Sequence, residues 1–195
     1  KIKLLKERFK TLKIDGYIVP KNDEYFSEYA RNDRLKSISN FSGSAGVAVI
    51  LKKNNYLFVD GRYTIQAQQE SAKNFKIIEI HKKLPHTIIK KYNLGYDPRL
   101  FTSKKIKSYF SNNNLVSINE NLIDKIFKYK REKKIPFYSL PKKIVGETHQ
   151  SKISRVTNFL KKNKADYLFS SAPENIAWLL NIRGYDNPNS PIPNS

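Results

Sequence analysis

The stretch Asn40-Phe41-Ser42-Gly43-Ser44-Ala45-Gly46, continuing through the apolar run Val47–Leu51 to Tyr56-Leu57-Phe58-Val59-Asp60-Gly61-Arg62-Tyr63, decides the fold. It reads as a small-residue turn feeding a buried strand, a Lys52-Lys53-Asn54-Asn55 turn, a second strand and an Asp-Gly-Arg corner. Gly43 and Gly46 are expected to take backbone angles closed to other residues, and Gly61 to let the chain bend sharply after its strand.

Outward from this hairpin, helices and strands alternate. Ile2, Leu5, Phe9 and Leu12 recur at helical spacing, and Asp15-Gly16 ends that helix before the short buried strand Tyr17-Ile18-Val19, stopped by Pro20. Asp23 is placed to cap a helix carrying Tyr25, Phe26 and Tyr29. Tyr63–Ala72 reads as a helix, Phe75–Ile80 as a strand and Pro85–Tyr92 as a helix with proline in its first turn. Leu94–Tyr96 is a strand, Ser103 a helix cap and Leu115–Ile118 a further strand. The pattern predicts an α/β domain, a mixed β-sheet with helices on both faces.

The composition changes from Lys128 to Lys143, where charge and the interruptions Pro136 and Pro141 mark a boundary. An amphipathic helix then starts near Thr148, with Ile153, Val156, Phe159 and Leu160 on one face. Lys164-Ala165-Asp166-Tyr167-Leu168-Phe169 and a helix through Trp178 follow, ending at Asn181-Ile182-Arg183-Gly184. A helix, a tyrosine-led strand, a capped helix and a glycine turn thus repeat the order of the first 43 residues, which suggests a second domain of related fold. The expected boundaries are 1–130 for the first domain, 131–147 for a linker and 148–195 for the truncated beginning of a second.

At 195 residues the chain can hold one large domain, or one domain and part of another. It has no cysteine, which excludes disulfides and thiolate metal sites, and no run long enough to span a membrane. It has no methionine either, so the natural amino terminus is expected upstream of Lys1. The formal charge of +20 raises the question of nucleic acid. Only eight of the 37 basic residues are arginine, and the lysine pairs are spread along the chain at element ends, with one dense run at Lys128–Lys134. That distribution fits solvated faces better than a phosphate-binding surface.

The Asn40–Tyr63 motif, Ile18-Val19-Pro20 with Asp23, and Glu174-Asn175-Ile176-Ala177-Trp178-Leu179-Leu180-Asn181-Ile182-Arg183-Gly184 together resemble the leading domains of Xaa-Pro aminopeptidases, in the creatinase/prolidase superfamily. Asp usually stands at or beside the position of Asn175 in that family. The order and spacing of the motifs resemble the three-domain aminopeptidases P. The resemblance implies a creatinase N-terminal-like fold for the first domain and a similar second one. It also implies a catalytic pita-bread domain outside this chain, with two divalent metal ions, typically manganese, held by two Asp, one His and two Glu. Peptides with proline at the second position and a homodimeric full-length protein follow from the same resemblance. The lack of a membrane-length run or signal segment leads to the expectation of a cytoplasmic protein with no membrane partner, and the spread of the basic residues weighs against nucleic acid.

The residues present do not suggest catalysis of their own. The histidines, His81, His86 and His149, form no metal-binding pattern with carboxylates. Ser42 and Ser44 lie in a glycine turn without a placed base, and Trp178 reads as a core anchor. Arg62 and Tyr63 are the candidate substrate-entrance residues, because the family's first domain can reach over the partner's active site. A guanidinium fixed at a corner suits a peptide carboxylate or carbonyl. The competing reading of Arg62 is a local ion pair, with Asp60 or a helix-start acid, that holds the corner. Two further functions stay open: a non-catalytic peptidase-like interaction module, and a basic nucleic-acid-binding domain.

Overall fold

A computed structural model of the chain describes residues 1–24, 26–27, 32–129, 135–185 and 190–193. The chain divides into two compact units, Lys1–Lys130 and Arg131–Ser195. The first contains α1 (Ile2–Thr11), β1 (Gly16–Pro20), α2 (Arg34–Ser39), β2 (Gly46–Leu51), β3 (Asn55–Val59), α3 (Thr64–Ser71), β4 (Lys76–Glu79), α4 (Pro85–Ile88), β5 (Asn93–Tyr96), α5 (Ser103–Phe110) and β6 (Asn114–Ser117). Six strands form one sheet in the order β4-β3-β2-β1-β5-β6. β2 is antiparallel to both neighbours, and the other pairings are parallel.

Both faces of the sheet are covered, because successive strand residues point to opposite sides. Tyr17, Val19, Ala48, Ile50, Leu57 and Val59 pack with Leu5 and Phe9 of α1, Leu35 and Ile38 of α2 and Ala67 of α3. Ile18, Val47, Val49, Leu51 and Phe58 face the other way, against Ile89, Leu100, Ile106 and Phe110. The expected mixed sheet with helices on both faces is what the chain forms.

The turn before β2 is built around Phe41, whose ring is fully buried. A Cβ added at Gly43 would stand 2.3 Å from the Phe41 ring, and one at Gly46 would meet that ring at 3.1 Å and the Phe58 carbonyl at 3.2 Å. Neither glycine has positive φ; the only described glycine that does is Gly146. The glycines are therefore needed for close approach and not for unusual backbone angles, contrary to the sequence reading. Gly61 is not needed for the bend either: a Cβ there would touch only the Glu79 carboxylate, at 3.8 Å. The bend is made by the Asp60 carboxylate, which accepts from the Arg62 N–H at 3.0 Å.

Local expectations shift where short elements lack periodicity. The helix expected after Asp23 falls largely on residues 25 and 28–31, outside the described residues, and Phe26 sits at φ 61. The short α2 follows instead, capped by Asp33 accepting from the Lys36 N–H. α4 stops at Ile88, because Ile89 turns extended into the core and its carbonyl accepts from the Asn113 amide at 2.7 Å. Thr102, one residue before the expected Ser103, caps α5.

The second unit holds β7 (Tyr138–Ser139), α6 (Lys142–Val145), α7 (His149–Lys162), α8 (Pro173–Leu180) and β8 (Ile182–Arg183), β7 pairing antiparallel with β8. Thus the stretch 131–147, expected as a linker, carries β7 and α6 where it is described. Its interior is a polar lock: buried Lys152 donates to the Trp178 carbonyl at 2.8 Å and to Asn181 Oδ1 at 2.7 Å. Asn181 caps α8 in the left-handed conformation, and its amide donates to the Glu147 carbonyl at 2.9 Å. The strand expected at 164–169 does not form. Tyr167, Leu168 and Phe169 are exposed, and a strand needs a neighbour for its N–H and C=O groups. Trp178 is 49% exposed, not a core anchor, and Lys152 Nζ lies 4.2 Å from its ring centre.

Gly43→Ala is expected to destabilise the first unit by about 1–3 kcal/mol, the cost of overpacking against a ring that cannot retreat. Gly61→Ala, in open space at ordinary backbone angles, is expected to be neutral or to stabilise by less than about 1 kcal/mol. Urea-unfolding midpoints of the two variants measure the contrast; equal midpoints would show that Phe41 does not confine Gly43.

Candidate functional site

The corner at Asp60–Tyr63 stands at the carboxyl end of β3. Asp60 closes the strand and opens a 3-10 turn over Gly61–Tyr63, from which α3 starts. Because β2 runs antiparallel between β1 and β3, those two strands end on the same edge of the sheet. A cleft of about 400 Å³ lies along this edge, lined by Lys21 and Asn22 after β1, Ser44, Gly46 at the start of β2, Asp60 and His81 among others. The carboxyl edge of an open α/β sheet is where such folds present ligand-binding surface.

Asp60 is bonded on both oxygens. Oδ1 accepts from the Arg62 backbone N–H at 3.0 Å and from Arg62 Nε at 2.9 Å, and Oδ2 faces His81 Nε2 at 3.3 Å. The Arg62 side chain, its backbone N–H and His81 hold this carboxyl well below the ordinary carboxylate range. The Arg62 side chain remains 74% exposed, with its guanidinium 5.5 Å from the Tyr63 ring centre. Tyr63 is half-buried: its hydroxyl lies 2.8 Å from Ser44 Oγ, and its ring meets Phe41 edge-on at 5.9 Å. The structure therefore contains the local Arg62–Asp60 ion pair, and it brings together Arg62, Tyr63 and the glycine turn.

The other residues weighed from sequence are placed apart. Ser42 donates through its N–H and hydroxyl to the two oxygens of Glu70, each at 2.7 Å, which fastens the turn to α3. His86 Nδ1 faces the Ser108 carbonyl at 3.1 Å, and His149 is exposed at the first turn of α7. Among the described residues no group of three or more His, Asp or Glu could hold a metal ion. The Asp60–His81 pair does not fit one either, since Asp60 Oδ1 is committed to Arg62. No described helix is long and apolar enough to cross a membrane.

Sequence reasoning missed a second corner of the same make. β5 ends at Tyr96, and Asp97 caps a 3-10 turn over Pro98–Leu100, its Oδ1 accepting from the Arg99 N–H and from Arg99 Nε, each at 3.0 Å. The signal was present: an Asp-x-Arg directly after a strand, as at Asp60-Gly61-Arg62. Asp97 is 1% exposed, and its Oδ2 accepts from Arg99 Nη2 at 2.7 Å and from the buried Asn121 amide at 3.0 Å. Burial pushes its carboxyl up, but the hydrogen bonds from Arg99 and Asn121 outweigh burial and hold it low. Nearby, buried Arg34 is bracketed by Glu24 at 2.8 Å and Asp124 at 2.8 Å.

A family model for the creatinase/prolidase N-terminal domain matches residues 1–126, and a second model of the same description matches residues 128–195. Xaa-Pro aminopeptidase 1 of Dictyostelium discoideum is 36% identical over 220 residues, taking in 98% of this chain and 34% of the relative. Xaa-Pro aminopeptidase 2 of Rattus norvegicus is 32% identical over 208 residues, covering 96% of this chain and 30% of the relative. The crystal structure of X-prolyl aminopeptidase from Caenorhabditis elegans, a cytosolic enzyme with a di-nuclear active site, is similar with a TM-score of 0.80 and 27% identity. That match covers 98% of this chain and 35% of the other. The chain thus spans about a third of the length of the curated relatives it matches.

The lowered carboxyl of Asp97 sets an acid dependence. A carboxyl depressed on folding stabilises above its unfolded value, near 3.9, and that contribution is lost as pH falls through the folded value. The urea midpoint is therefore expected to fall on acidification below about pH 4, and to fall less steeply in Asp97→Asn. An identical acid limb in the variant would show that the Asp97 corner carries no linkage.

Proposed function

Because the chain belongs to the creatinase/prolidase N-terminal domain family, we propose that it forms the leading, non-catalytic region of a metallo-aminopeptidase that releases the first residue of peptides with proline second. The observation that carries the reading is the similarity to the di-nuclear X-prolyl aminopeptidase of Caenorhabditis elegans, which runs through 98% of the chain. In this reading residues 1–130 are a first creatinase-like lobe and 148–195 the start of a second, with 131–147 between them. Hydrolysis needs donors converging on metal-bound water, and the described residues supply no such set. The two divalent ions, taken to be manganese, then belong to polypeptide outside these residues. The protein would act in the cytoplasm as a homodimer.

The lobe's part is to pair subunits and to shape the entrance to the partner's active site. Tyr63, fixed between Ser44 and Phe41, suits a wall, and the exposed Arg62 suits a group that meets the peptide. Two measurements test this. The 195-residue chain with manganese is expected not to hydrolyse an Xaa-Pro peptide, whereas the full-length polypeptide does so and loses the activity to a chelator. Full-length protein that never cleaves such a peptide ends the reading. Arg62→Ala in the full-length enzyme is expected to lower kcat/KM about tenfold, the value of one charge-assisted hydrogen bond. An unchanged value, with the dimer intact, rejects the entrance role.

A further inference from the structure

The two Asp-x-Arg corners share one local construction and differ in what surrounds it. Each follows a strand, each aspartate caps a 3-10 turn, and each Oδ1 accepts from the arginine's N–H and Nε. At Asp97 both oxygens hold the same guanidinium, the carboxylate is buried, and Asn121 completes it. That corner is part of the packed interior. At Asp60 the second oxygen is turned away from Arg62 to His81, the carboxylate is about a quarter exposed, and the Arg62 side chain is largely exposed. A clamp that holds an exposed arginine by Nε and by its own backbone does little for the core. It does fix where the guanidinium points.

We propose that Asp60 is a positioning residue for Arg62: braced by His81 on its second oxygen, it sets the guanidinium in the orientation that meets the carboxylate or carbonyl of a bound peptide. The inference rests on the entrance role of Arg62 and resolves the choice between ion pair and substrate contact, since the pair is the means of the contact. A long cationic side chain loses rotamer freedom when it grips a ligand, and orienting it beforehand removes that loss from binding. Other charged groups near the corner have partners of their own. Glu79, 3.8 Å from a Cβ placed on Gly61, is paired with Lys82 at 2.8 Å, and Lys21 across the cleft is paired with Asp33.

The test combines a double-mutant cycle in the full-length enzyme with a spectroscopic measurement on the 195-residue chain. Asp60→Asn keeps the side chain's shape and removes its charge. It is expected to raise KM for an Xaa-Pro peptide about three- to tenfold while kcat stays within about twofold. In an Arg62→Ala background the same substitution is expected to change kcat/KM by less than about twofold, the non-additivity of residues acting through one another. In the chain, the Nε–H resonance of Arg62 is expected to exchange with water about tenfold faster in Asp60→Asn. The urea midpoint of Asp60→Asn, an exposed carboxylate, is expected to fall less than that of Asp97→Asn. If Arg62→Ala lowers kcat/KM but Asp60→Asn is silent, or has its full effect without Arg62, the positioning role is overturned and the entrance role survives. If Arg62→Ala is itself without effect, the entrance role fails and the positioning role with it.

Discussion

The ring of Phe41, closed in by Gly43, Gly46 and Tyr63, is the contact on which the rest of the first unit depends. It holds the glycine turn at van der Waals distance from the start of β2, which fixes where that strand begins. Register in a sheet covered on both faces cannot slip by one residue without sending every side chain to the wrong face. With β2 set antiparallel, β1 and β3 end on one edge, and only a small residue, Gly46, stands between their carboxyl ends. The cleft and the corner beside it follow from that geometry. Removing the Phe41 ring would leave a cavity under the turn, worth about 3–5 kcal/mol in comparable cores.

The corner itself shows how burial decides the use of one chemistry. Asp60 and Asp97 make nearly superposable local contacts to the arginine two residues on. In the interior, where an unpaired charge is costly, every oxygen of Asp97 must be satisfied, so Arg99 and Asn121 converge on it. At the edge, water relaxes that demand, and an exposed ion pair adds little stability. Polar groups also organise the second unit, where the Lys152 ammonium bridges α7 to the end of α8 through the Trp178 carbonyl and Asn181.

The proposed entrance role would give these features a common purpose. Under that proposal, a lobe without converging metal donors among its described residues acts by deciding which substrates reach a catalytic centre elsewhere and how they lie there. Such control needs rigid placement of a few groups. The described corner has it in a capped turn, a braced carboxylate and a tyrosine wedged against buried Phe41. Ion pairs such as Lys52–Asp15, Arg34–Asp124 and Arg99–Asp97 place the carboxylates, but 17 acidic residues cannot balance 37 basic ones, and the +20 excess remains.

The sequence by itself determined the alternation of helices and strands, the hairpin from Gly46 to Val59 and the family motifs, because each rests on local periodicity and turn chemistry. It also placed Arg62 and Tyr63 at a corner, although the bend is made by the Asp60 carboxylate capping the turn and not by the freedom of Gly61. It could not show that Gly43 and Gly46 serve close packing and not backbone freedom, because that depends on where the Phe41 ring sits. Nor could it show that α4 ends at Ile88, where a side chain from Asn113 takes the next carbonyl. The segment 164–169 has the apolar content of a strand but none of the hydrogen-bond partners, and pairing is a property of neighbours distant in the chain. The same holds for the two Asp-x-Arg corners: their likeness is written in three residues, while burial by Asn121 or bracing by His81 is decided by the tertiary fold.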